Sequence, residues 1–144
     1  MLKGISPIIS PELIHVLMAM GHGDEIVFAD ANYPADSCAQ IIVRCDGHRI
    51  TDLLEAILPL FPLDTYVDQP VALMEKVPGD PAEVTIWDTY RKMINKYQKL
   101  ENDFEFVERF AFYERSRCAY AIVATGETAL YANVLLKKGV IPPQ

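Results

Sequence analysis

The strongest constraint on the fold is a series of short, uninterrupted apolar runs spaced along the chain. Their residues are apolar at consecutive positions rather than at every second position, which is typical of strands covered on both faces by helices. The runs are Glu25–Asp30, Ile41–Cys45, Val71–Met74, Tyr120–Ala124 and Val134–Leu136. We therefore expect an α/β protein, a single domain over residues 1–144 with α/β/α layers and a mostly parallel central sheet.

Helix signals lie between these runs. Ser10 is a good N-cap and Pro11 suits the first helical position, so a first helix is predicted from there. Thr51 is expected to cap a second helix that Pro59 ends or kinks. A third helix is predicted to begin within Asp80–Glu83, which combines a capping aspartate, a proline and a box-type glutamate.

Composition removes several classes of function. The chain has 13 Lys+Arg against 20 Asp+Glu, a net charge of −7, which disfavours binding to nucleic acid. No apolar run is long enough to span a membrane, and the N-terminal residues lack the plan of a signal peptide. Three cysteines without a Cys-x-x-Cys pair support neither a disulfide framework nor a zinc ribbon. We expect a cytoplasmic protein with no nucleic-acid or membrane partner.

The best acid/base candidate is His22, in the polar segment Gly21–Glu25. A histidine between two glycines is exposed and unencumbered, and it exchanges a proton near neutral pH. The alternative is a loop histidine that only caps the C-terminus of the first helix.

Asp30 follows the first apolar run, at the end of a strand where open α/β sheets bind ligands. A carboxylate there accepts hydrogen bonds from sugar hydroxyls, although an Asx turn into the next residues is the alternative role. The glycines around His22 precede the strand and do not form a dinucleotide loop, and neither a Walker loop nor a Gly-x-Ser-x-Gly elbow occurs. No cofactor is predicted.

A metal site is a weaker interpretation. His22 and Asp24 could face one ion, completed by His15 or His48, but the three histidines form no His-x-x-x-His pair. We predict no metal.

Two later segments carry groups that suit a sugar. Arg109–Arg115 mixes aromatic side chains with a planar guanidinium, which match the C–H patches and vicinal hydroxyls of a pyranose. Tyr131 and Asn133 follow a turn at Thr125–Glu127 and could present a hydroxyl and an amide. The alternatives are that the aromatics fill the core and that Tyr131 and Asn133 begin the last strand.

Taken in order, these motifs closely resemble the fucose mutarotase family, the FucU/RbsD group. The resemblance spans nearly the whole chain, through Ser10–Leu13, Met20–Ile26, Asp30–Ala31, Pro34, Arg109–Arg115, Ala124–Glu127 and Tyr131–Val140. It implies an RbsD-like fold and a ring-like homo-oligomer in which rings of five pair into a decamer, with sites at subunit junctions.

The resemblance also implies roles for individual residues. His22 matches the family's proton donor, and Asp30 and Arg109 match substrate-binding positions. Tyr131-Ala132-Asn133 matches a stretch that contacts the sugar. The fucose branch commonly has glycine where this chain has Ala132, whereas the ribose branch resembles Tyr-Ala-Asn.

The implied activity is L-fucose mutarotation, the exchange of α and β anomers of a free monosaccharide. Ring opening needs a base for the anomeric hydroxyl and an acid for the ring oxygen, with no redox cofactor or metal. His22 is the expected acid, while the base is Tyr131 or a bound water. The alternatives are a sugar-binding, transport-accessory protein, a ribose-type pyranase without fucose specificity, and a nonenzymatic assembly subunit.

Overall fold

A six-stranded mixed sheet organises the protein. The computed structural model describes residues 1–144. Its strands lie in the order β2-β5-β1-β6-β3-β4, with bounds β1 Glu25–Ala29, β2 Ile42–Cys45, β3 Val71–Met74, β4 Glu105–Val107, β5 Ala121–Thr125 and β6 Val134–Lys137. Every predicted run forms a strand within a residue or two of its expected bounds.

One strand runs against the others. β1 is parallel to β5, which is parallel to β2, and β3 is parallel to β4. β6 lies between β1 and β3 and is antiparallel to both, with Val27 opposite Leu135 and Leu73 opposite Val134. Five strands therefore point the same way, which confirms the prediction of a mostly parallel sheet.

Helices cover both faces of the sheet. They are α1 Pro11–Ala19, α2 Ala35–Cys38, α3 Ile50–Ile57, α4 Ile86–Tyr97 and α5 Arg109–Cys118. α1, α3 and α4 pack on the face that includes Phe28 and Leu73, whereas α2 and α5 pack on the face that includes Val27 and Ile122. The layered α/β/α prediction is confirmed. None of the five helices combines the length and apolar composition needed to cross a bilayer.

The first helix begins as its sequence predicts. Ser10 Oγ accepts a hydrogen bond from the Leu13 N–H at 3.1 Å, and Pro11 occupies the first helical position. At the other end, the Nζ of Lys138 donates to the carbonyl oxygens of Leu17 and Met20. The only hydrogen-bond partner of the His22 imidazole is Asp64 and not a carbonyl of α1, so the alternative role of His22 as a C-terminal cap is wrong.

The predicted cap of the second helix is wrong. α3 begins at Ile50, before Thr51, and the Ile50 N–H donates to the buried Glu127 carboxylate at 3.2 Å. Gly126 permits the close approach, since a Cβ there would lie 2.3 Å from the Asp46 carbonyl oxygen. A carboxylate from a distant loop therefore replaces the local cap.

The predicted start of the third helix is also wrong. α4 begins at Ile86, and the segment Asp80–Glu83 is irregular. Asp80 is engaged elsewhere, because one carboxylate oxygen accepts from the Ala82 N–H at 2.9 Å and the other from the Tyr131 hydroxyl. The short α2 has no counterpart among the three predicted helices.

The topology separates two ends of the sheet. The carboxyl end is where the five parallel strands finish. Asp30 lies there because it directly follows β1, and Arg109 because it closely follows β4. Asn133 lies there because it directly precedes β6, which runs the opposite way. The amino end is where the same strands begin, and His22 lies there, three positions before Glu25. The candidate site residues are thus divided between the two ends.

Candidate active site

A cleft at the carboxyl end gathers most of the predicted site residues. Asp30, Arg109, Tyr131 and Asn133 all line it, and its volume is about 210 Å³. The remaining lining residues are Asn32, Tyr33, Met74, Val77, Asp80, Tyr113 and Leu130. The structure therefore brings together four side chains that are up to 103 positions apart in the sequence.

Asp30 forms the Asx turn that was its alternative role, and it lines the cleft. Its Oδ1 accepts from the Asn32 N–H at 3.0 Å, which is the Asx turn, and its own N–H donates to Asn133 Oδ1 at 2.7 Å. Removal from water raises the pKa of Asp30 above its ordinary value, against the lowering effect of these hydrogen bonds. The carboxyl group is thus held in place at the cleft.

Arg109 stands apart from the other arginines of the chain. Arg44, Arg49, Arg91, Arg115 and Arg117 each form a salt bridge with a carboxylate. Arg109 forms none, and its guanidinium lies over the rings of Phe110 and Tyr113, 4.7 and 5.9 Å from their centroids. Stacking fixes the plane of the guanidinium while its N–H groups remain available to a ligand.

Tyr131 has a constrained backbone and a committed hydroxyl. Tyr131 is the only residue other than glycine with a positive φ, which is 56°. Its carbonyl oxygen accepts a hydrogen bond from Trp87 Nε1 at 2.9 Å. The hydroxyl donates to Asp80 and accepts from the Val77 N–H at 3.2 Å. The bond to Asp80 raises the pKa of Tyr131, and the same bond lowers the pKa of Asp80. Tyr131 is therefore a neutral phenol at physiological pH.

The two following residues have different surroundings. Ala132 is fully buried behind the cleft, packed in the core, and its carbonyl oxygen accepts from the Tyr90 hydroxyl at 2.7 Å. Asn133 lines the cleft and uses its side-chain oxygen to hold Asp30, while its amide N–H groups bind no atom of the chain. Of this stretch, Tyr131 and Asn133 present side chains to the cleft and Ala132 does not.

His22 is remote from the cleft. Five residues of β1 separate it from Asp30, a span of about 17 Å at about 3.3 Å per residue. The imidazole is 44% exposed, its Nε2 lies 3.0 Å from Asp64 Oδ1, and its ring centroid lies 5.2 Å from that of Tyr66. Within one copy of the chain, His22 and the cleft residues do not meet.

Asp64 lies beside His22 and was not among the residues singled out from the sequence. It lies between α3 and β3, its side chain is 3% exposed, and its Oδ1 also accepts from the Tyr66 N–H at 3.0 Å. Removal from water acts to raise the pKa of Asp64, but the hydrogen bonds from Tyr66 and His22 outweigh it and hold the pKa below its ordinary value. No motif or spacing marks this aspartate in the sequence.

The predicted alternative of a metal ion has no geometric support. No three histidine, cysteine, aspartate or glutamate side chains converge in the chain. Asp24 accepts from the Gly21 N–H at 2.7 Å. His15 is exposed on α1, and His48 follows β2 at the opposite end of the sheet from His22.

The chain is similar in sequence to a known family and to several known proteins. Residues 3–141 match the sequence model of the RbsD / FucU transport protein family. The chain is 54% identical to a fucose mutarotase of Danio rerio, covering 99% of this chain and 96% of the relative. It is 51% identical to an L-fucose mutarotase of Glaesserella parasuis, covering 99% and 97%.

A solved structure extends the likeness to the fold. The crystal structure of the fucose mutarotase of Streptococcus pneumoniae in complex with L-fucose superposes with a TM-score of 0.94 at 55% identity. The match covers 98% of this chain and 100% of that one.

Proposed function

The chain belongs to the RbsD/FucU family, and from this membership and the cleft we propose that it is an L-fucose mutarotase. It is an isomerase that interconverts the α and β anomers of the free sugar. The observation that carries the proposal is the convergence of Asp30, Asn133 and the unpaired Arg109 in one cleft. The relatives at about half identity act on the same sugar by name.

The groups in the cleft fit the surface of a pyranose. Arg109 and the Asn133 amide supply hydrogen-bond donors, and Asp30 supplies acceptors for vicinal hydroxyls. Tyr33 and Tyr113 supply aromatic surface against C–H patches. The cleft volume of about 210 Å³ is compatible with a ligand of monosaccharide size.

The reaction is an acid–base ring opening. A base removes the anomeric hydroxyl proton, the bond between the anomeric carbon and the ring oxygen breaks, and an acid protonates that oxygen. The open aldehyde rotates about its bond to the next carbon, and the reverse steps close the ring on its other face. Nothing is oxidised or reduced.

The base is proposed to be a bound water or Tyr131 acting as a relay. As a neutral phenol, Tyr131 does not take up a proton unless it gives up its own. Asp80 is the acceptor for that proton. The phenol passes its own proton along the hydrogen bond to the Asp80 carboxylate as it receives the proton of the sugar. Ala132 is proposed to contribute through its main chain alone, since its side chain is buried.

His22 is proposed as the acid, which requires a second copy of the chain. Since about 17 Å of strand separates His22 from Asp30 in one copy, the imidazole reaches a bound sugar only from a neighbour. The amino end also carries an apolar groove of about 330 Å³ that includes the exposed Met18 and Ile141. An exposed apolar groove of this kind is suited to burial against a second copy, which supports a homo-oligomer with sites at subunit junctions.

Two finer features belong to the same proposal. We propose that the oligomer is a ring that pairs into a decamer, as the resemblance implies. We also propose a cytoplasmic location, which is supported by the unpaired state of Cys38, Cys45 and Cys118, as is usual in a reducing compartment.

The direct test follows the optical rotation of freshly dissolved α-L-fucose with and without the protein. We expect relaxation to the anomeric equilibrium to be faster with the protein, in proportion to its concentration, and less accelerated for D-ribose and D-galactose. Saturable binding of fucose without faster anomer exchange would instead identify a sugar-binding, transport-accessory protein. The name of the matching family, a transport protein family, agrees with that alternative. Greater acceleration of ribose would identify a ribose-type enzyme. The methyl group of Ala132 does not contact the sugar and does not decide between fucose and ribose, because it packs in the core.

A further inference from the structure

Tyr131 is held at both of its ends by one stretch of chain, residues 77–90, which leads from β3 into α4. Its hydroxyl donates to the Asp80 carboxylate and accepts from the Val77 N–H at 3.2 Å. Its carbonyl oxygen accepts from Trp87 Nε1 at 2.9 Å. The proposed reaction uses the hydroxyl end of this arrangement, and no step of it uses Trp87.

We propose that Trp87 is a positioning residue that holds the Tyr131 main chain in its left-handed conformation and so aims the phenol at the sugar in the cleft. The proposal rests on the proposed function, in which the phenol relays a proton of the sugar. Trp87 does not line the cleft, so it acts through Tyr131 and not on the sugar itself.

The main chain at Tyr131 needs an external hold. A φ of 56° lies in the left-handed region, which is unfavourable for a residue with a Cβ and persists only where the surrounding structure fixes it. Tyr131 lies in the loop between β5 and β6, and the indole N–H of Trp87 is the only donor to its carbonyl oxygen. We therefore expect the loop to relax when that donor is lost.

The indole that provides this hold is itself fixed. Trp87 lies in the first turn of α4, and its ring packs edge-on against Phe106 of β4 with the centroids 4.9 Å apart. Three positions further along α4, the hydroxyl of the buried Tyr90 donates to the next carbonyl, that of Ala132, at 2.7 Å. α4 therefore binds two successive carbonyls of the loop and supports it rigidly.

The direction of the phenol matters because proton transfer requires the donor and acceptor oxygens to lie within hydrogen-bond reach. A small displacement of a reacting group lowers the rate steeply. The groups proposed to bind the sugar are held by other contacts, since Asp30 and Asn133 bind each other and Arg109 stacks on Phe110. Loss of the Trp87 hydrogen bond should therefore lower the rate of anomer exchange more than the affinity for fucose.

The test compares the wild type with Trp87→Phe. Phenylalanine keeps an aromatic ring beside Phe106 and removes the N–H donor. We expect kcat for fucose anomer exchange to fall by about 10-fold or more, with KM changed by less than about threefold. The matched control is Tyr97→Phe, which removes a hydrogen-bond donor from the same helix. That hydroxyl binds Glu55, outside the cleft, so the control should keep the wild-type kcat.

Two NMR measurements do not depend on catalysis. The backbone chemical shifts of Tyr131 report its φ, and they should leave the left-handed range in Trp87→Phe but not in Tyr97→Phe. In the wild type, Trp87 is the only tryptophan, so its indole N–H gives a single resonance. That proton should exchange slowly with solvent, because it is bound to a carbonyl oxygen. Thermal unfolding checks that both variants are folded.

The outcomes separate this proposal from the proposed function. A folded Trp87→Phe variant with kcat within about twofold of the wild type, or with unchanged Tyr131 shifts, would overturn the role of Trp87. So would a wild-type indole N–H that exchanges as fast as that of free tryptophan, whether or not the variant folds. If the wild type does not accelerate fucose exchange, the proposed function fails, and the Tyr131 shifts still decide whether Trp87 holds the loop.

Discussion

Replacing His22 by glutamine is expected to slow L-fucose anomer exchange by about 100- to 10,000-fold, the range that one general acid contributes. Glutamine keeps a polar side chain that can donate to Asp64 but cannot deliver a proton to the ring oxygen. The position is 44% exposed, so the fold should tolerate the change. Exchange NMR at anomeric equilibrium measures the rate directly, without a coupled assay.

The matched control for this variant is His15→Gln. His15 is an exposed histidine on α1 that belongs to no part of the proposed site, and its variant should exchange fucose at the wild-type rate. A His22→Gln protein whose rate stays within about twofold of the wild type would contradict the assignment of His22 as the acid.

The second large effect is expected on sugar affinity in Arg109→Ala. A hydrogen bond to a charged group contributes about 1.5–3 kcal/mol, so loss of the guanidinium should weaken fucose binding by about 10- to 100-fold. Arg109 has no carboxylate partner, and its removal leaves no buried charge unpaired. The loss should therefore appear in calorimetric binding of fucose while the thermal unfolding midpoint stays close to that of the wild type.

Two further variants sharpen this prediction. Arg109→Lys keeps the charge without the planar fork and should bind fucose with intermediate affinity. Arg117→Ala removes an arginine from the same helix that is paired with Glu114, and it should bind as the wild type does. Equal weakening by the Arg109 and Arg117 substitutions would show that net charge, and not the cleft, determines affinity.

Local signals account for what the sequence predicted correctly in the fold. Ser10 and Pro11 act within one turn of the helix that they start, and the apolar runs form strands because both of their faces are buried. The two helix starts that were predicted wrongly depend on residues far away in the sequence. Ile50 finds its cap in Glu127, 77 positions away, and Asp80 is taken by Tyr131, 51 positions away.

The site shows the same division between local and distant information. Asp30 was a candidate because it ends a predicted strand, where open sheets bind ligands. Arg109 was a candidate because it stands beside aromatic side chains and matches a position of the family's motif. Asp64 contacts His22 although the two residues are 42 positions apart in the sequence. The loop between α3 and β3 brings Asp64 there, and no rule of sequence spacing predicts that contact. The distance between His22 and Asp30 does follow from the length of β1, but only once a parallel sheet is established.

The central claim is that each site joins His22 of one copy to the cleft of another. It is tested most directly by co-expressing His22→Ala with the double variant Asp30→Asn, Arg109→Ala, each inactive alone. In randomly mixed oligomers, about one quarter of the junctions would combine an intact His22 with an intact cleft. We predict that fucose anomer exchange recovers to about one quarter of the wild-type rate. Mixed oligomers that remain as inactive as either parent would contradict the account.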